Sequence, residues 1–561
     1  MSNLPFETIE EILSYIDEDD ITTFRSLSLI NKTWCYLSIP HLWKKPFNIK
    51  KNPPKDLYKI ITIILSYLDE QEKSLLKINK KKIGILSTKL SYNYPSYIRH
   101  LDFHKIFLLI TEWIIKNKKF RPKLKENYFI KNSKKFTFDF SIFKEDEEDY
   151  ELNFSYTRFI ERCCLKDQEK LAFFEYIFNI IISKSRGIKK LDVEIYHENE
   201  EIAYTIPKDF FKYIFKLKDI GKCFAGLLEF SCKGNFHKAS LINEIKKYSH
   251  ELRKLTIYPW DRNYVNDLKI KDLKDLLKVQ KNLLFLSFSV DSEIDHNFID
   301  CIQGMVLKSL ESLQMKYGDI TNSNLKHLSK CKKLKKLYFD MVYFDEPINI
   351  LGKIIYPNLE DLIFSKCNFS NSFIDLLKEF IKNNGNNLKT FHLSQNIDSD
   401  HINSDNSNIL DISGILSTLL DYCFNLNHLF LNIDNHSEMG LLFKILFHFK
   451  NTLKSLNVGY YNDKPIFIVN DFMNDFIEIF ITTNIINLNL CNWKISFDIF
   501  KIFIEKCGKF LKIFECSCVG ASKEDLESLI RSTSKLHSRL LISTSIIEID
   551  DEIKIIKILW N

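Results

Sequence analysis

The amino-acid sequence predicts an α/β fold in which parallel strands and helices alternate in a stack of repeats. A six-residue unit with apolar residues at its first, fourth and sixth positions occurs twelve times. Start-to-start spacings run from 24 residues (Leu310 to Leu334) to 39 residues (Ile188 to Leu227), which suits one strand and one helix per repeat. Most units are followed by apolar residues at helical spacing, as in residues 373–381. Such repeats place the strands on a concave face and the helices outside.

The units extend over residues 188–561, which we predict to form one repeat array. The apolar positions of the first six units are Ile188/Leu191/Val193, Leu227/Phe230/Cys232, Leu252/Leu255/Ile257, Leu283/Leu286/Phe288, Leu310/Leu313/Met315 and Leu334/Leu337/Phe339. Those of the last six are Leu359/Leu362/Phe364, Leu388/Phe391/Leu393, Leu426/Leu429/Leu431, Leu453/Leu456/Val458, Ile485/Leu488/Leu490 and Leu511/Phe514/Cys516. The β-branched tail, residues 553–560, is expected to add a last strand that closes the stack.

The repeating unit resembles the leucine-rich repeat, whose pattern is L-x-x-L-x-L-x-x-N/C-x-L. One copy matches throughout, at Leu359, Leu362, Phe364, Cys367 and Phe369. The Asn/Cys position is kept in only two other copies. In the family this side chain satisfies backbone groups in the turn after the strand, so its loss predicts irregular turns. The resemblance also implies that binding takes place across the concave face.

Residues between the apolar positions of each strand are the candidates for binding a target. Side chains alternate along a strand, so these residues point away from the helices. The candidates for which we predict target contacts are Arg253, Lys254, Lys335, Lys336, Tyr338, His392 and His428. The alternative is that most of them are ordinary solvated residues, since few interface residues dominate binding. Arg253 and Lys254 would also suit a phosphorylated target.

The first 47 residues predict three short helices. Ile9, Ile12, Leu13 and Ile16 fall at i, i+3, i+4 and i+7, so they are expected to share one face of the first helix. Pro5 suits the first turn of that helix, because its missing N–H costs nothing there.

An acidic break, residues 17–20, offers cap oxygens for the second helix. That helix is expected to bury Ile21, Phe24 and Leu27. A third helix would begin at Asn31 and place Trp34 and Leu37 on its inner face, and other residues that carry the pattern are Leu42 and Trp43. Three helices this short cannot bury so much apolar surface among themselves, and the segment shows neither a disulfide nor a metal motif. A second protein surface is therefore expected.

Residues 4–47 resemble the F-box. The likeness rests on the Leu-Pro start, the apolar face of the first helix, the acidic break, Trp34 and the Leu-Trp close. It implies that this segment binds the small adaptor of the SCF ubiquitin ligase, and through that adaptor a cullin. Adaptor-facing and module-core residues would both be found among Leu4, Pro5, Ile9, Ile12, Leu13, Ile16, Ile21, Leu27, Trp34, Leu42 and Trp43. The sequence alone does not divide them, and a helical cap on the next domain is the alternative.

The resemblances together imply a substrate-recognition subunit of an SCF-type ubiquitin ligase. The F-box would dock on the adaptor, and the repeats would bind a protein target for ubiquitination and degradation. One alternative is an F-box scaffold that acts outside ubiquitin transfer. Another is a repeat protein that binds polyanions through the lysine-rich residues 44–82, although their interleaving with Ile and Leu favours a solvated helical surface and does not favour nucleic acid.

Residues 48–187 are predicted to be a helical connector. Helices are expected over residues 57–65, within 70–90 together with a strand, and over 167–184. Ile98, Leu101 and Phe103 suggest an early, irregular repeat. Residues 118–152 turn basic and then acidic, which is typical of a charged insertion.

Composition limits the class of protein. The chain has 561 residues, 45% hydrophobic, with a net charge of +6, and only 14 glycines and 12 prolines argue against turn-rich β folds. Thirteen cysteines are scattered without zinc-site spacing, which favours a reducing compartment. The sequence shows neither a basic leader nor an apolar run long enough for a bilayer. We predict a cytoplasmic or nuclear protein without a membrane partner.

Catalytic motifs are absent from the sequence. It contains no phosphate-binding loop, no H-E-x-x-H helix and no G-x-S-x-G elbow. Cys163 or Cys507 could form a thioester only beside a histidine and an oxyanion site, and a buried structural role is favoured for both. The prediction is a non-catalytic subunit that needs no cofactor and no metal.

Overall fold

The computed structural model describes residues 4–47, 57–68, 91–116, 167–195, 214–234, 238–258, 270–289, 302, 305–318, 320, 322–344, 349–369, 372–395, 412–433, 436–460, 470–536, 541–548 and 553–560. The chain divides into two compact units, Met1–Leu283 and Leu284–Asn561. The predicted second helix and strand within residues 70–90 and the predicted charged insertion, residues 118–152, lie outside the described residues. The predicted domain boundaries at residues 47 and 187 stay predictions.

The first unit contains nine described helices and four strands. The helices are α1 (Phe6–Ser14), α2 (Ile21–Leu27), α3 (Lys32–Leu42), α4 (Lys59–Leu65), α5 (Phe103–Lys116), α6 (Asp167–Lys184), α7 (Ile220–Phe224), α8 (Lys238–Tyr248) and α9 (Ile270–Lys278). The strands are β1 (His100–Asp102), β2 (Lys190–Ile195), β3 (Glu229–Gly234) and β4 (Lys254–Tyr258), and they pair in parallel in chain order. Leu101 of the suggested early repeat lies in β1, which pairs in parallel with β2, and whether this segment is a true repeat stays a prediction.

The second unit contains twelve strands and eight helices among its described residues. Its strands are β5 (Phe285–Ser289), β6 (Ser312–Lys316), β7 (Lys336–Asp340), β8 (Tyr343–Phe344), β9 (Asp361–Phe369), β10 (Thr390–Gln395), β11 (His428–Ile433), β12 (Ser455–Tyr460), β13 (Asn487–Ser496), β14 (Ile513–Val519), β15 (Leu541–Glu548) and β16 (Ile553–Trp560). Its helices are α10 (Met305–Ser309), α11 (Asn322–Leu328), α12 (Phe373–Asn384), α13 (Ser413–Tyr422), α14 (His436–His448), α15 (Asn470–Phe480), α16 (Phe497–Cys507) and α17 (Lys523–Leu536).

Every one of the twelve six-residue repeats predicted from the sequence forms a strand, from β2 to β7 and from β9 to β14. In the second unit the fourth positions align across neighbouring strands, from Leu286 opposite Leu313 to Leu488 opposite Phe514, and all of them are buried. The helices pack on this apolar side of the sheet, where the Phe503 ring of α16 lies 4.9 Å from that of Phe514. Burial of three apolar positions per strand therefore explains the register. From β2 onwards, most strands are followed by a helix among the described residues, in both compact units.

The end of the second unit departs from the parallel pattern. The tail strand β16 was predicted, but it pairs antiparallel with β14, and its other edge pairs antiparallel with β15, which the sequence pattern missed. The Lys557 ammonium lies 3.0 Å from the Glu515 carboxylate across this junction. Two antiparallel strands thus cover the edge that the last parallel strand would otherwise expose.

The turns after β6 and β7 resemble each other, so the expectation of irregular turns is wrong for these two repeats, which lack the Asn/Cys residue. Tyr317, Met341 and Lys366 occupy the same position of successive repeats, and all three have positive φ, between 49° and 56°. The N–H of Tyr317 donates to Asp340 O at 2.9 Å, and that of Met341 donates to Ser365 O at 2.8 Å. Backbone bonds between repeats thus satisfy the N–H groups of Tyr317 and Met341.

Asparagines reinforce the opposite edge of the second unit, where each helix leads into the next strand. Four of them stand directly before the first apolar position of a repeat, and each Nδ2 donates to a backbone oxygen of the preceding repeat. The bonds run from Asn358 to Lys332 O (3.3 Å), Asn387 to Pro357 O (2.8 Å), Asn425 to Asn386 O (3.2 Å) and Asn484 to Asn451 O (3.1 Å). Every acceptor is the residue two before the first apolar position of its own repeat. This ladder binds successive repeats to each other.

Candidate interaction surfaces

The first candidate surface lies on the three N-terminal helices, which close around a small core. Ile9, Leu13, Phe24, Trp34 and Leu37 form this core, and Ile16, Leu27 and Leu42 pack against it. The predicted caps are confirmed, since Asp20 Oδ1 accepts from Thr23 N at 3.0 Å and Asn31 Oδ1 accepts from Trp34 N at 3.1 Å. We call residues 4–47 the three-helix module.

One burial prediction for the module is wrong. Ile21 remains 37% exposed, although α2 was expected to bury it, and Ile12, on the predicted apolar face of α1, is 39% exposed. The reason is that α1 and α2 each pack against α3, so each helix buries only a narrow arc of its surface. Leu4 and Pro5 are also exposed, and Pro5 stands just before α1 instead of inside its first turn.

Exposed apolar residues are concentrated on the three-helix module. Of the seventeen large apolar side chains that are exposed in the described parts of the chain, eight belong to it. They are Leu4, Phe6, Ile12, Tyr15, Ile21, Leu29, Ile30 and Tyr36, and we call them the module surface. The sequence pattern identifies only Leu4, Ile12 and Ile21 among these eight, because residues such as Tyr15 and Leu29 follow no helical stripe. Two of these side chains, Phe6 and Tyr36, lie side by side with ring centroids 6.2 Å apart, and the eight residues make the module a candidate for binding a protein partner.

The module is joined to the first strand as if it were a preceding repeat. Lys44 O accepts from Arg99 N at 3.0 Å and from His100 N at 3.2 Å. Arg99 O in turn accepts from Lys189 N and Lys190 N, at 2.8 and 3.0 Å, in the next repeat. The Trp43 ring also lies 4.6 Å from Tyr94. Trp43 therefore faces the beginning of the repeats, and the module serves as their N-terminal cap.

Lysines at the end of the module are engaged in ion pairs. Lys45 Nζ lies 3.0 Å from Asp19 and 3.3 Å from Glu18, and Lys44 also pairs with Glu18. These pairs connect the loop after α1 to the end of α3. The beginning of the lysine-rich stretch thus has acidic partners within the module.

On the open face of the first unit, an ion-paired cluster joins β1 to β2. His100 Nε2 lies 2.6 Å from Asp192 Oδ2, and Lys190 Nζ lies 3.2 Å from the same oxygen. Burial acts to raise the pKa of the Asp192 carboxyl, but His100 and Lys190 outweigh it, so this pKa lies below its ordinary value. Arg253 and Lys254 are exposed at the start of β4.

The second candidate surface lies on the open face of the second unit. The residue between the fourth and sixth positions points away from the helices in each strand, and neighbouring strands pair these residues directly. From β7 to β13 they are Tyr338, Ile363, His392, Phe430, Asn457 and Asn489, and we call this row the central track. All six side chains are half-buried. Tyr338 and His392 had been predicted as target contacts, and the structure places them one strand apart on either side of Ile363.

The predicted lysine contacts are paired within the sheet. Lys335 lies 2.9 Å from Glu311, and Lys336 lies 2.5 Å from Asp361, in each case across neighbouring strands. His428 is exposed two residues before Phe430 on β11. A target contact at either lysine would thus compete with a carboxylate that is already in place.

His392 is the most perturbed residue of the track. Its ring is stacked on Phe430 with centroids 3.7 Å apart, and its Nε2 lies 3.1 Å from Ser394 Oγ. Burial lowers the pKa of His392 from 6.5 to about 4. The ring is therefore neutral at physiological pH and acts as an aromatic surface.

We expect the unfolding free energy of the chain to fall as the pH falls from 6.5 towards 4, and the His392→Gln variant to show a smaller fall. The unfolded histidine binds a proton below its ordinary pKa, whereas the folded one does not until about pH 4. The difference between parent and variant amounts to at most ~3 kcal/mol at pH 4. Urea unfolding of both proteins at pH 7 and pH 4 measures it, and equal pH dependence would contradict burial of this ring.

One of the two cysteines considered as nucleophiles, Cys507, is buried. Burial raises the pKa of Cys507 to about 12, so this thiol stays protonated, while Cys163 lies outside the described residues. No group of three or more His, Cys, Asp or Glu side chains could hold a metal there. None of the described helices has the length and apolar composition to cross a membrane.

No protein-family model matches the chain, and no curated protein matches it. Among solved structures the chain is similar to one titled "Crystal structure of PEPR1-AtPEP1", at a TM-score of 0.26 and 13% identity. The match covers 60% of this chain and 42% of that chain, so the chain spans less than half the length of that protein.

Proposed function

We propose that this chain is the substrate-recognition subunit of an SCF-type ubiquitin ligase. In this proposal the three-helix module is an F-box that binds the SCF adaptor, and the repeats bind a protein target for ubiquitination. The observation that carries the proposal is the module surface, eight large exposed apolar side chains around a core of five residues. A module of this size gains stability by covering such a surface with a partner.

The residues of the F-box pattern divide into groups that suit this role. Ile9, Leu13 and Trp34 build the core, whereas Leu4, Pro5, Ile12 and Ile21 are exposed and available to an adaptor. Trp43 contacts the beginning of the repeats. One segment can thus fold, bind a partner and support the next domain with different residues.

The hydrogen bonds that Lys44 O accepts from Arg99 and His100 fit the role of a ligase subunit. They hold the module and the first repeats of the first unit in one arrangement. A ligase subunit acts by proximity, because it keeps target lysines near the ubiquitin-charged enzyme. A fixed connection restricts the positions that the target can take.

The proposal is tested by co-purification with the SCF adaptor. We expect the parent chain to form an equimolar complex with it. A variant with Leu4→Ala, Ile12→Ala and Leu29→Ala should lose the complex, because these exposed residues contribute binding and little to the core. The matched control carries Phe424→Ala, Phe447→Ala and Ile481→Ala, which remove exposed apolar residues of the second unit, and it should keep the complex.

The possible outcomes separate the proposal from its alternatives. If the parent forms no complex, the F-box interpretation fails and the module is a cap alone. If both variants bind equally well, the adaptor uses another surface. A complex with the adaptor that never recruits a cullin would instead favour a scaffold that acts outside ubiquitin transfer.

A further inference from the structure

The central track has the length and the direction of a binding groove for a linear chain. Its six residues stand on six neighbouring strands, each opposite the next in the parallel register. Strands lie about 4.8 Å apart, so five spacings extend over about 24 Å. An extended polypeptide covers that distance with about seven residues at ~3.4 Å each.

One half of the track is apolar. Tyr338, Ile363, His392 and Phe430 follow each other across β7, β9, β10 and β11. The stack of His392 on Phe430 holds both rings in place, because their centroids lie only 3.7 Å apart. Half-buried aromatic residues held in this way are typical anchors of protein interfaces.

The other half of the track consists of amides. Asn457 and Asn489 continue the row on β12 and β13, and Asn432 points to the same face from β11. Gly459 makes room for Asn432, since a Cβ at this glycine would lie 2.3 Å from Asn432 Oδ1. The Oδ1 atom of Asn457 is buried without a hydrogen-bond partner among the described residues. The Asn457 amide therefore has an acceptor that the described residues leave unused.

The charges beside the track neutralise each other. Lys316 lies 2.9 Å from Asp340, Lys336 lies 2.5 Å from Asp361, and both pairs join neighbouring strands beside the apolar half. Farther out, Lys335 pairs with Glu311 and Lys389 with Glu360, at 2.9 and 3.0 Å. An acidic or phosphorylated ligand would have to displace a carboxylate from each lysine, so an uncharged ligand is favoured.

We propose that the central track binds an extended, uncharged polypeptide segment of the target. An aliphatic or aromatic side chain of that segment packs on His392 and Phe430, and its peptide groups bond to the amides of Asn432 and Asn457. An asparagine amide offers donors and an acceptor together, which complements the N–H and C=O of a peptide group. Ile363 adds aliphatic surface that suits a side chain better than a hydroxylated sugar. This inference rests on the proposed function only in naming the ligand a target.

Two synthetic pools of twelve-residue peptides test the assignment on the immobilised full chain. The neutral pool has Leu or Phe at its centre and no Asp, Glu, Lys or Arg. The acidic pool is identical except for Asp or phosphoserine on both sides of the centre. We expect the neutral pool to be retained at least about 10-fold better, because the lysines are already paired.

Variants show whether retention takes place on the track. Phe430→Ala and Asn457→Ala should each lower retention of the neutral pool about 10-fold or more, as truncation of a central contact does. Phe447→Ala, which removes an exposed ring on α14, should leave retention unchanged. Circular dichroism of each variant confirms that the repeats stay folded, and the two track variants provide independent tests.

Several results would overturn the assignment. One is that the parent chain retains none of the neutral pool, and another is that it prefers the acidic pool. A third is that the parent and both track variants retain the neutral pool equally well. Retention of a neutral oligosaccharide such as maltohexaose in place of peptide, lost in Phe430→Ala, would assign the track to a glycan. Adaptor binding is measured on the same preparations. A chain that binds the adaptor but no neutral peptide supports the proposed function and refutes this inference. A chain that binds neutral peptide but no adaptor supports this inference and refutes the proposed function.

Discussion

Replacement of Leu13 by alanine is expected to destabilise the three-helix module by about 2–5 kcal/mol. Leu13 is only 1% exposed and lies in the core with Ile9, Phe24 and Trp34. Its truncation removes apolar contacts and leaves a cavity that three short helices cannot refill. Amide hydrogen exchange measures the effect, and protection should fall throughout α1, α2 and α3 while α12 and α13 of the second unit stay protected.

Ile12 provides the matched control, because it stands next to Leu13 on the same helix but is 39% exposed, against 1% for Leu13. Ile12→Ala should change protection of α1 by no more than about 0.5 kcal/mol. Equal loss of protection in both variants would contradict the division into core and surface. With this division established, weaker adaptor binding by Ile12→Ala reports a contact, whereas weaker binding by Leu13→Ala reports unfolding.

The repeat periodicity predicted every parallel strand from β2 to β7 and from β9 to β14. This succeeds because each strand buries three apolar positions, and a shift by one residue would expose all of them. Strand β15 was missed for the same reason. It lacks the repeating unit and pairs antiparallel with β16, an arrangement that depends on the open edge of β14 and not on any local pattern.

Neighbouring residues on the open face of the second unit can be predicted by aligning the repeats with each other. Lys335 and Glu311 both occupy the second position of their repeats, and Lys336 and Asp361 both occupy the third. Alignment of the repeats alone therefore predicts that these charges are neighbours, and the ion pairs follow. The same alignment places Ile363 and Phe430 beside His392. The target contacts predicted from residue type include lysines as well as Tyr338 and His392. The register of the strands shows that Tyr338 and His392 belong to one apolar row.

Burial within the three-helix module was harder to predict. Helical spacing places Ile12 near Ile9 and Leu13, but it does not say how wide an arc the neighbouring helices cover. In the structure α1 contacts α3, and the arc ends before Ile12. The sequence pattern thus identifies an apolar stripe, and only packing shows which part of it is core and which part is open to a partner.

The largest polar contribution to the second unit is expected from Asn384, at the end of α12. Its Oδ1 accepts from Tyr356 N at 2.6 Å, and its Nδ2 donates to Ile354 O at 2.9 Å and to Phe380 O at 2.8 Å. Asn384→Ala would leave the buried groups of Tyr356 and Ile354 without partners. At roughly 1–3 kcal/mol for each orphaned group, we expect a loss of about 3 kcal/mol. Urea unfolding, followed by hydrogen exchange of β9 and α12, measures it.

A second substitution at the same place should have the opposite effect, because its polar atom has no partner. The Tyr356 ring is buried, its hydroxyl has no hydrogen-bond partner among the described residues, and burial raises its pKa. Tyr356→Phe keeps the ring and removes an unsatisfied hydroxyl, so stability should stay the same or rise by about 1 kcal/mol. If Tyr356→Phe were as destabilising as Asn384→Ala, the loss would come from the packing of this helix end. A loss confined to Asn384→Ala assigns it to the side-chain hydrogen bonds of Asn384, two of which connect one repeat to the next.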